Sequence, residues 1–147
     1  MIEQKPDVLF HHFRSHGNKN LLLYVCKLVE KGFKQKIQPI YIQTKDQEQA
    51  EKLDKLLWTF KQDSFIPHTI VGAPDFDSNP VQIGWSENQF RKAVAIVNLS
   101  ETIPKSYLES KKIHEIIDDD EIKKDRARER WKNYKSEGCH LGVHQIK

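Results

Sequence analysis

Residues 93–99 have the sequence Ala-Val-Ala-Ile-Val-Asn-Leu, which is apolar at every position except Asn98. A run of this kind, with no alternation of apolar and polar residues, is typical of a strand buried on both faces of a parallel sheet. Parallel strands are joined by crossovers that usually contain a helix, so this stretch predicts an α/β fold.

Shorter apolar segments and helical patterns alternate along the rest of the chain. Further strands are predicted at residues 7–13, 37–43, 66–71, 81–85, 113–117 and 140–146. Helices are predicted at about residues 22–33, 46–60 and 120–136, with a short one within 102–110. The whole chain, residues 1–147, is therefore predicted to be a single α/β domain with a mostly parallel sheet and flanking helices.

Composition favours a soluble protein of the cytoplasm. The N-terminus lacks the apolar region of a secretory signal, and no apolar run approaches the ~20 residues of a membrane span. The two cysteines, Cys26 and Cys139, form no disulfide framework and are interpreted as thiols in a reducing compartment. The net charge of +3 is too small to indicate nucleic-acid binding unless the basic residues are clustered.

The glycines argue against a nucleotide site, which a parallel α/β sheet would otherwise suggest. None of the six glycines is spaced as in GxGxxG or GxxxxGK[ST], so the sequence contains no phosphate-binding loop. A GxSxG nucleophile motif is also absent from the sequence. We therefore expect no cofactor and no catalytic residues.

Two groups of residues could hold a metal ion. His140 and His144 fall on a predicted strand, where four residues span roughly 13 Å, too far for one zinc ion. The acidic run 118–120 follows a strand, where α/β enzymes often bind Mg²⁺, but acidic residues also favour the start of a helix. The second interpretation is preferred, and we expect no metal; a metal-dependent enzyme is kept as an alternative.

The basic charge is concentrated in residues 121–135, which hold seven basic and three acidic residues. One face of the predicted helix carries Lys124, Arg128, Trp131 and Lys132. Two ammonium groups, a guanidinium and an aromatic ring suit an acidic peptide with a free terminal carboxylate, and they also suit single-stranded nucleic acid. The alternative is a solvated helix whose Trp131 and Tyr134 face the core beside Ala127.

A second notable segment, residues 56–65, contains three aromatic residues near a helix end. Trp58, Phe60 and Phe65 cannot easily all face one sheet. Any that remain exposed would mark a partner interface, and the alternative is a small core beneath a loop.

These segments carry a resemblance to a known family. Residues 46–58 (DQEQAEKLDKLLW), 63–68 (DSFIPH) and 127–134 (ARERWKNY) closely resemble the chi subunit of bacterial DNA polymerase III. The pattern D-x-x-Q-A-x-x-L-D-x-x-L-W followed by S-F-x-P-H is far more specific than a single short motif. The order of elements and the length fit as well, so the resemblance covers essentially the whole chain.

The resemblance implies a non-catalytic accessory subunit of a DNA-directed DNA polymerase, a nucleotidyltransferase complex. Its fold would be similar to mononucleotide-binding proteins but without their phosphate loop. Members pair with the psi subunit, which links them to the clamp loader. They also bind the acidic C-terminal tail of single-stranded DNA-binding protein, which ends in an apolar or aromatic residue with a free carboxylate. Contact with DNA would be mainly indirect, within the bacterial replisome.

The resemblance also assigns two sets of residues. The tail would be bound by Lys124, Arg128, Trp131 and Lys132. Trp131 stands where some members have tyrosine, so it keeps the aromatic surface and lacks the hydroxyl. The psi interface would contain Trp58, Phe60, Phe65 and Pro67. The alternative function is a module that binds single-stranded nucleic acid directly through the late helix.

Overall fold

Strands and helices alternate along the computed structural model, which describes residues 4–13, 19–74, 76–86, 92–105 and 107–146. The strands are β1 (Asp7–Phe13), β2 (Ile40–Gln43), β3 (His68–Ile70), β4 (Val81–Gly84), β5 (Ala95–Asn98), β6 (Lys112–Ile117) and β7 (His140–Ile146). The helices are α1 (Lys19–Lys34), α2 (Gln47–Thr59) and α3 (Glu121–Ser136), with 3₁₀ turns at Phe76–Ser78 and Tyr107–Glu109.

The strands in the described part of the chain form one sheet in the order β3-β4-β2-β5-β6-β1-β7. Every neighbouring pair is parallel. β5 lies between β2 and β6, and all four of its residues are buried. The predicted α/β class and the prediction of a doubly buried strand within residues 93–99 are both confirmed.

Two apolar cores lie on opposite faces of this sheet. Ile40 and Ile42 of β2 belong to the core that contains the buried residues of α1 and α2. Tyr41, which points the other way, belongs to the core that contains Ala127 and Tyr134 of α3. Since successive side chains of a strand alternate between faces, α1 and α2 cover one face and α3 covers the other.

Several predicted elements are shorter in the structure, including β2 and the short helix predicted within 102–110. β2 begins at Ile40 rather than at residue 37, because Pro39 has no N–H to donate to the ladder. The short helix predicted within 102–110 is only the 3₁₀ turn Tyr107–Glu109, which Ser110 closes with its side-chain and backbone donors to the Tyr107 carbonyl. Residues 14–18 of the predicted loop lie outside the described residues.

Candidate functional site

α3 carries the predicted basic face, and residues at both ends define its limits. Asp120 is the N-cap, and its carboxylate accepts a hydrogen bond from the Lys123 backbone N at 3.0 Å. Gly138 follows the helix with φ of +88°, a conformation that glycine adopts without a steric penalty. The observed helix, Glu121–Ser136, agrees with the one predicted at about residues 120–136.

The acidic run before α3 is engaged with the helix that it precedes. Asp118 accepts a hydrogen bond from the Lys123 ammonium at 3.1 Å, and Asp119 accepts one from the Lys124 ammonium at 3.1 Å. Within the ranges that the structure describes, no group of three metal-ligating side chains is arranged to hold an ion. The geometry supports the preferred interpretation of these acids as helix-starting residues.

A buried polar network fastens α3 to the centre of the sheet. Glu115 of β6 is fully buried and accepts hydrogen bonds from Asn98 of β5, from Arg130 Nε at 3.1 Å and from the Tyr134 hydroxyl at 2.6 Å. Arg130 also donates to the Glu101 carbonyl at 3.0 Å. Arg130 neutralises the buried carboxylate, and the three donors together satisfy its hydrogen bonding, so the rotation of α3 about its own axis is fixed.

That rotation places part of the predicted basic face over a surface pocket of about 260 Å³. Lys124, Arg128 and Trp131 line the pocket, with Ala127 between them. Lys132 is exposed and lies outside the pocket lining, one residue further along the helix. The structure therefore brings together three of the four residues that the resemblance assigned to the tail site.

Trp131 belongs to both the core and the pocket. Its ring packs on Phe10 of β1 with 5.2 Å between the ring centroids, and the residue is half-buried. Tyr134 is completely buried, as the alternative interpretation of the helix expected, and Ala127 is buried as well. The two interpretations are thus compatible, because Trp131 packs against the core and also lines the pocket.

The cations of the pocket already have carboxylate neighbours. Lys124 contacts Glu121 at 2.9 Å and Asp119 at 3.1 Å, and these hydrogen bonds raise the pKa of its ammonium group. Arg128 pairs with Asp125 one turn earlier on the helix. The carboxylates hold the two cations in place at the rim, and an acidic ligand must compete with them.

The remaining walls of the pocket come from strands that the sequence analysis did not connect with α3. Phe10 and His12 of β1 and Val143 of β7 line it. His12 Nδ1 lies 3.0 Å from Gln145 Oε1, while His12 Nε2 lies 3.6 Å from an Asp119 carboxylate oxygen. The strand predicted at residues 7–13 would place Phe10 and His12 on one face, but nothing in the sequence showed that β1 lies beside β7.

A second exposed surface contains part of the predicted psi interface. Trp58 and Phe65 are 51% and 68% exposed, and their ring centroids are 5.6 Å apart. Pro67 is half-buried, and Phe60 is partly buried against the core of α1 and α2. The expectation that not all three aromatic residues of the segment face the sheet is confirmed, and the exposed pair is Trp58 with Phe65.

A second cavity, of about 380 Å³, lies at the carboxyl ends of β2, β5 and β6, where parallel α/β proteins usually bind ligands. Gln43, Ser100 and Asp118 line it, together with Arg130 of the buried network. Gln43 Nε2 donates to Ser100 Oγ at 3.0 Å. The sequence offers no glycine-rich loop here, so the fold defines a parallel α/β protein without the phosphate loop of its nucleotide-binding counterparts.

Comparison with known proteins identifies the family. The family model described as "DNA polymerase III chi subunit, HolC" matches residues 6–142. The DNA polymerase III subunit chi of Pseudomonas aeruginosa is 27% identical over 125 residues, covering 85% of this chain and 86% of the relative. The subunit chi of Haemophilus influenzae is 25% identical over 108 residues (73% and 75%), and that of Escherichia coli is 26% identical over 105 residues (71% and 71%).

The chain thus belongs to the DNA polymerase III chi subunit family, as the resemblance in the sequence indicated. Its relatives are subunits of a DNA polymerase, so the predicted connection with DNA replication is supported. A search of the described helices finds none that is long and apolar enough to cross a membrane.

Proposed function

We propose that this protein is a non-catalytic adaptor of the DNA polymerase III holoenzyme in the bacterial cytoplasm. In this proposal, the pocket on α3 binds the acidic C-terminal tail of single-stranded DNA-binding protein. The surface around Trp58 and Phe65 binds the psi subunit and, through it, the clamp loader. The observation that carries the proposal is the pocket of Lys124, Arg128 and Trp131 over an apolar floor.

The chemistry of the pocket matches the last residue of such a peptide, both its free carboxylate and its side chain. Arg128 presents a planar guanidinium that can hold a terminal carboxylate through two parallel hydrogen bonds. Trp131, Phe10 and Val143 offer apolar surface for the last side chain of the peptide. Both cations sit at the water-exposed rim, where salt screens Coulomb attraction, so we expect micromolar affinity that depends partly on apolar contact.

Calorimetric titration with a synthetic tail peptide tests this assignment. Arg128→Ala and Trp131→Ala are each expected to weaken binding by about 1–3 kcal/mol, because each removes a contact at the centre of the site. A peptide with an amidated C-terminus should bind more weakly than one with a free carboxylate. Arg126→Ala is the matched control, since Arg126 lies on the same helix, pairs with Glu101 and is absent from the pocket lining.

Equal affinity of both pocket variants and the control would contradict the assignment. Binding of an oligonucleotide that is lost in the pocket variants but not in the control would instead support the alternative, in which α3 holds single-stranded nucleic acid directly. Nucleic-acid binding at this site would also show steeper salt dependence than peptide binding.

Co-purification with psi tests the second surface. Trp58→Ala and Phe65→Ala should each reduce recovery of the complex, because exposed aromatic side chains are frequent binding hot spots. Leu108→Ala provides a control, since Leu108 is an apolar side chain that is 43% exposed elsewhere on the surface. Full recovery of psi with both aromatic variants would rule out this interface.

A further inference from the structure

A basic groove of about 780 Å³ lies beside α1, on the face of the sheet opposite α3. Leu9 and His11 of β1 and His114 of β6 point to this face, together with His144 of β7. They share it with Phe13 and Ile116, which pack in the core of α1 and α2. No helix of the described chain covers this part of the face, so it lies open between α1 and the strands β6, β1 and β7.

Four lysines surround the groove. Lys27 and Lys31 are one turn apart on α1, and Lys111 and Lys112 stand at the start of β6. The described lining contains neither a carboxylate nor an arginine, and none of the four ammonium groups has an ion pair with a described residue. Because no described carboxylate offsets their charge, the four lysines attract anions, and a bound anion would reduce the repulsion among them.

Rings and aliphatic side chains together line the groove, and two of the rings, His11 and His114, are linked by a hydrogen bond. His11 joins its neighbours through Nδ1, 2.6 Å from the Tyr24 hydroxyl, and Nε2, 2.8 Å from His114 Nδ1. Burial lowers the pKa of His11 to about 4, with smaller contributions from His144 and Lys112. Burial likewise lowers the pKa of His114 to about 3, with smaller contributions from His11 and Lys112. His11 and His114 therefore add no positive charge at neutral pH beside the four lysines, and their rings supply flat surfaces.

We propose that this groove binds the backbone of single-stranded nucleic acid, with lysines contacting phosphates and the accessible rings of Tyr24, His114 and His144 contacting bases or sugars. Charged grooves with aromatic floors are typical of binding to single strands without sequence preference. Lysines act as point charges that suit phosphates in many orientations, whereas recognition of a carboxylate-rich peptide favours the arginine fork, which the described lining lacks.

The proposal is separate from the proposed role of α3. The two surfaces lie on opposite faces of the sheet, and they have no lining residue in common. The chain could therefore contact an acidic peptide at one face and a strand at the other, and mutations at one face should leave the other intact.

Fluorescence anisotropy of a labelled oligothymidylate of about 20 nucleotides, titrated with the full chain alone, tests the groove. We expect dissociation constants on the order of 10⁻⁵ M at low salt. If all four lysines neutralise phosphates, the logarithm of the binding constant should fall with the logarithm of salt concentration with a slope of about −3, since each contact contributes roughly −0.7 for single strands.

Two charge-matched double variants locate the site. Lys27→Gln combined with Lys31→Gln should reduce the slope to about −1.4 and weaken binding at least tenfold at low salt, because two of four contacts are lost. Lys124→Gln combined with Lys132→Gln removes the same charge from α3 and should leave both quantities unchanged. The four substituted lysines are on the surface, and thermal melting checks that both double variants fold.

Three results would overturn the proposal. The first is no binding of the oligonucleotide at low salt. The second is loss of binding in the α3 variant with retention in the groove variant, which would place nucleic acid at α3. The third is displacement of the oligonucleotide by poly-glutamate at equal charge concentration, which would show that the groove takes acidic protein segments. The first and third results leave the tail-binding proposal untouched, because tail binding is measured without nucleic acid; the second would also favour the alternative function of α3.

Discussion

Removal of the Tyr134 hydroxyl is a direct measure of the network that fastens α3 to the sheet. In Tyr134→Phe the ring keeps its packing against Phe10 and Tyr107, whose centroids lie 6.1 and 5.3 Å away. The variant loses only the 2.6 Å hydrogen bond to Glu115, a carboxylate with no exposure to water. The substitution therefore isolates one charged hydrogen bond in a buried site.

The expected cost follows from the chemistry of that bond. A hydrogen bond to a charged group contributes about 1.5–3 kcal/mol to folding, and its loss leaves Glu115 with Arg130 and Asn98 as donors. We expect the free energy of unfolding to fall by about 2 kcal/mol. For an m-value of about 2 kcal/mol per molar urea, the midpoint of unfolding should fall by about 1 M.

Urea titration followed by far-ultraviolet circular dichroism provides the measurement. Tyr107→Phe is the matched control, because its hydroxyl makes no hydrogen bond to a residue in the described ranges while its ring packs in the same cluster. If Tyr134→Phe costs no more than Tyr107→Phe, the Glu115 network does not anchor the helix and the argument fails. At temperatures where Tyr134→Phe is folded, tail affinity should be unchanged, since Tyr134 is absent from the pocket lining.

Three further predictions concern stability. Asp120→Ala should lower the free energy of unfolding by about 1 kcal/mol in the same urea titration, because the Lys123 backbone N–H loses its hydrogen bond to the capping carboxylate. An unchanged free energy would contradict a stabilising role of this cap. Gly138→Ala should cost about 1 kcal/mol, since a Cβ is disfavoured at φ of +88°, and a stabilised variant would contradict this. The pKa values of His11 and His114, about 4 and 3, lie below the usual 6.5, so the unfolded chain binds protons first as pH falls. The free energy of unfolding should therefore decrease as pH is lowered from 7 to 5. A flat profile would refute the burial of these rings in neutral form.

The sequence predicted the pattern of elements well, because local chemistry specifies it. The apolar run around Ile96 and Val97 predicted a doubly buried strand, and the helical pattern over residues 120–136 predicted the extent of α3. Several predicted strands were too long, and in one of them a single residue limited the hydrogen-bonding capacity of the backbone. Pro39 delayed the start of β2 for this reason.

For the candidate site, helical spacing was enough to place Lys124, Arg128 and Trp131 on one face. The resemblance to the chi family supplied the hypothesis that they bind the acidic tail. The spacing could not show that Lys132 would lie outside the pocket, nor that Trp131 would be half-buried on Phe10. Both depend on how far α3 is rotated on the sheet, and that rotation is set by the contacts of Glu115 with residues far away in the chain.

The sequence by itself determined the fold class, the absence of a phosphate loop, the family and the concentration of positive charge in residues 121–135. Each of these follows from the composition and spacing of residues close together in the chain. Only the tertiary structure decided that β1 lies between β6 and β7. That strand order brings His12 and Val143 to the α3 pocket and gathers His11, His114 and four lysines into the opposite groove. Strand order is fixed by packing between distant segments, so no local pattern of residues can reveal which side chains will meet across a sheet.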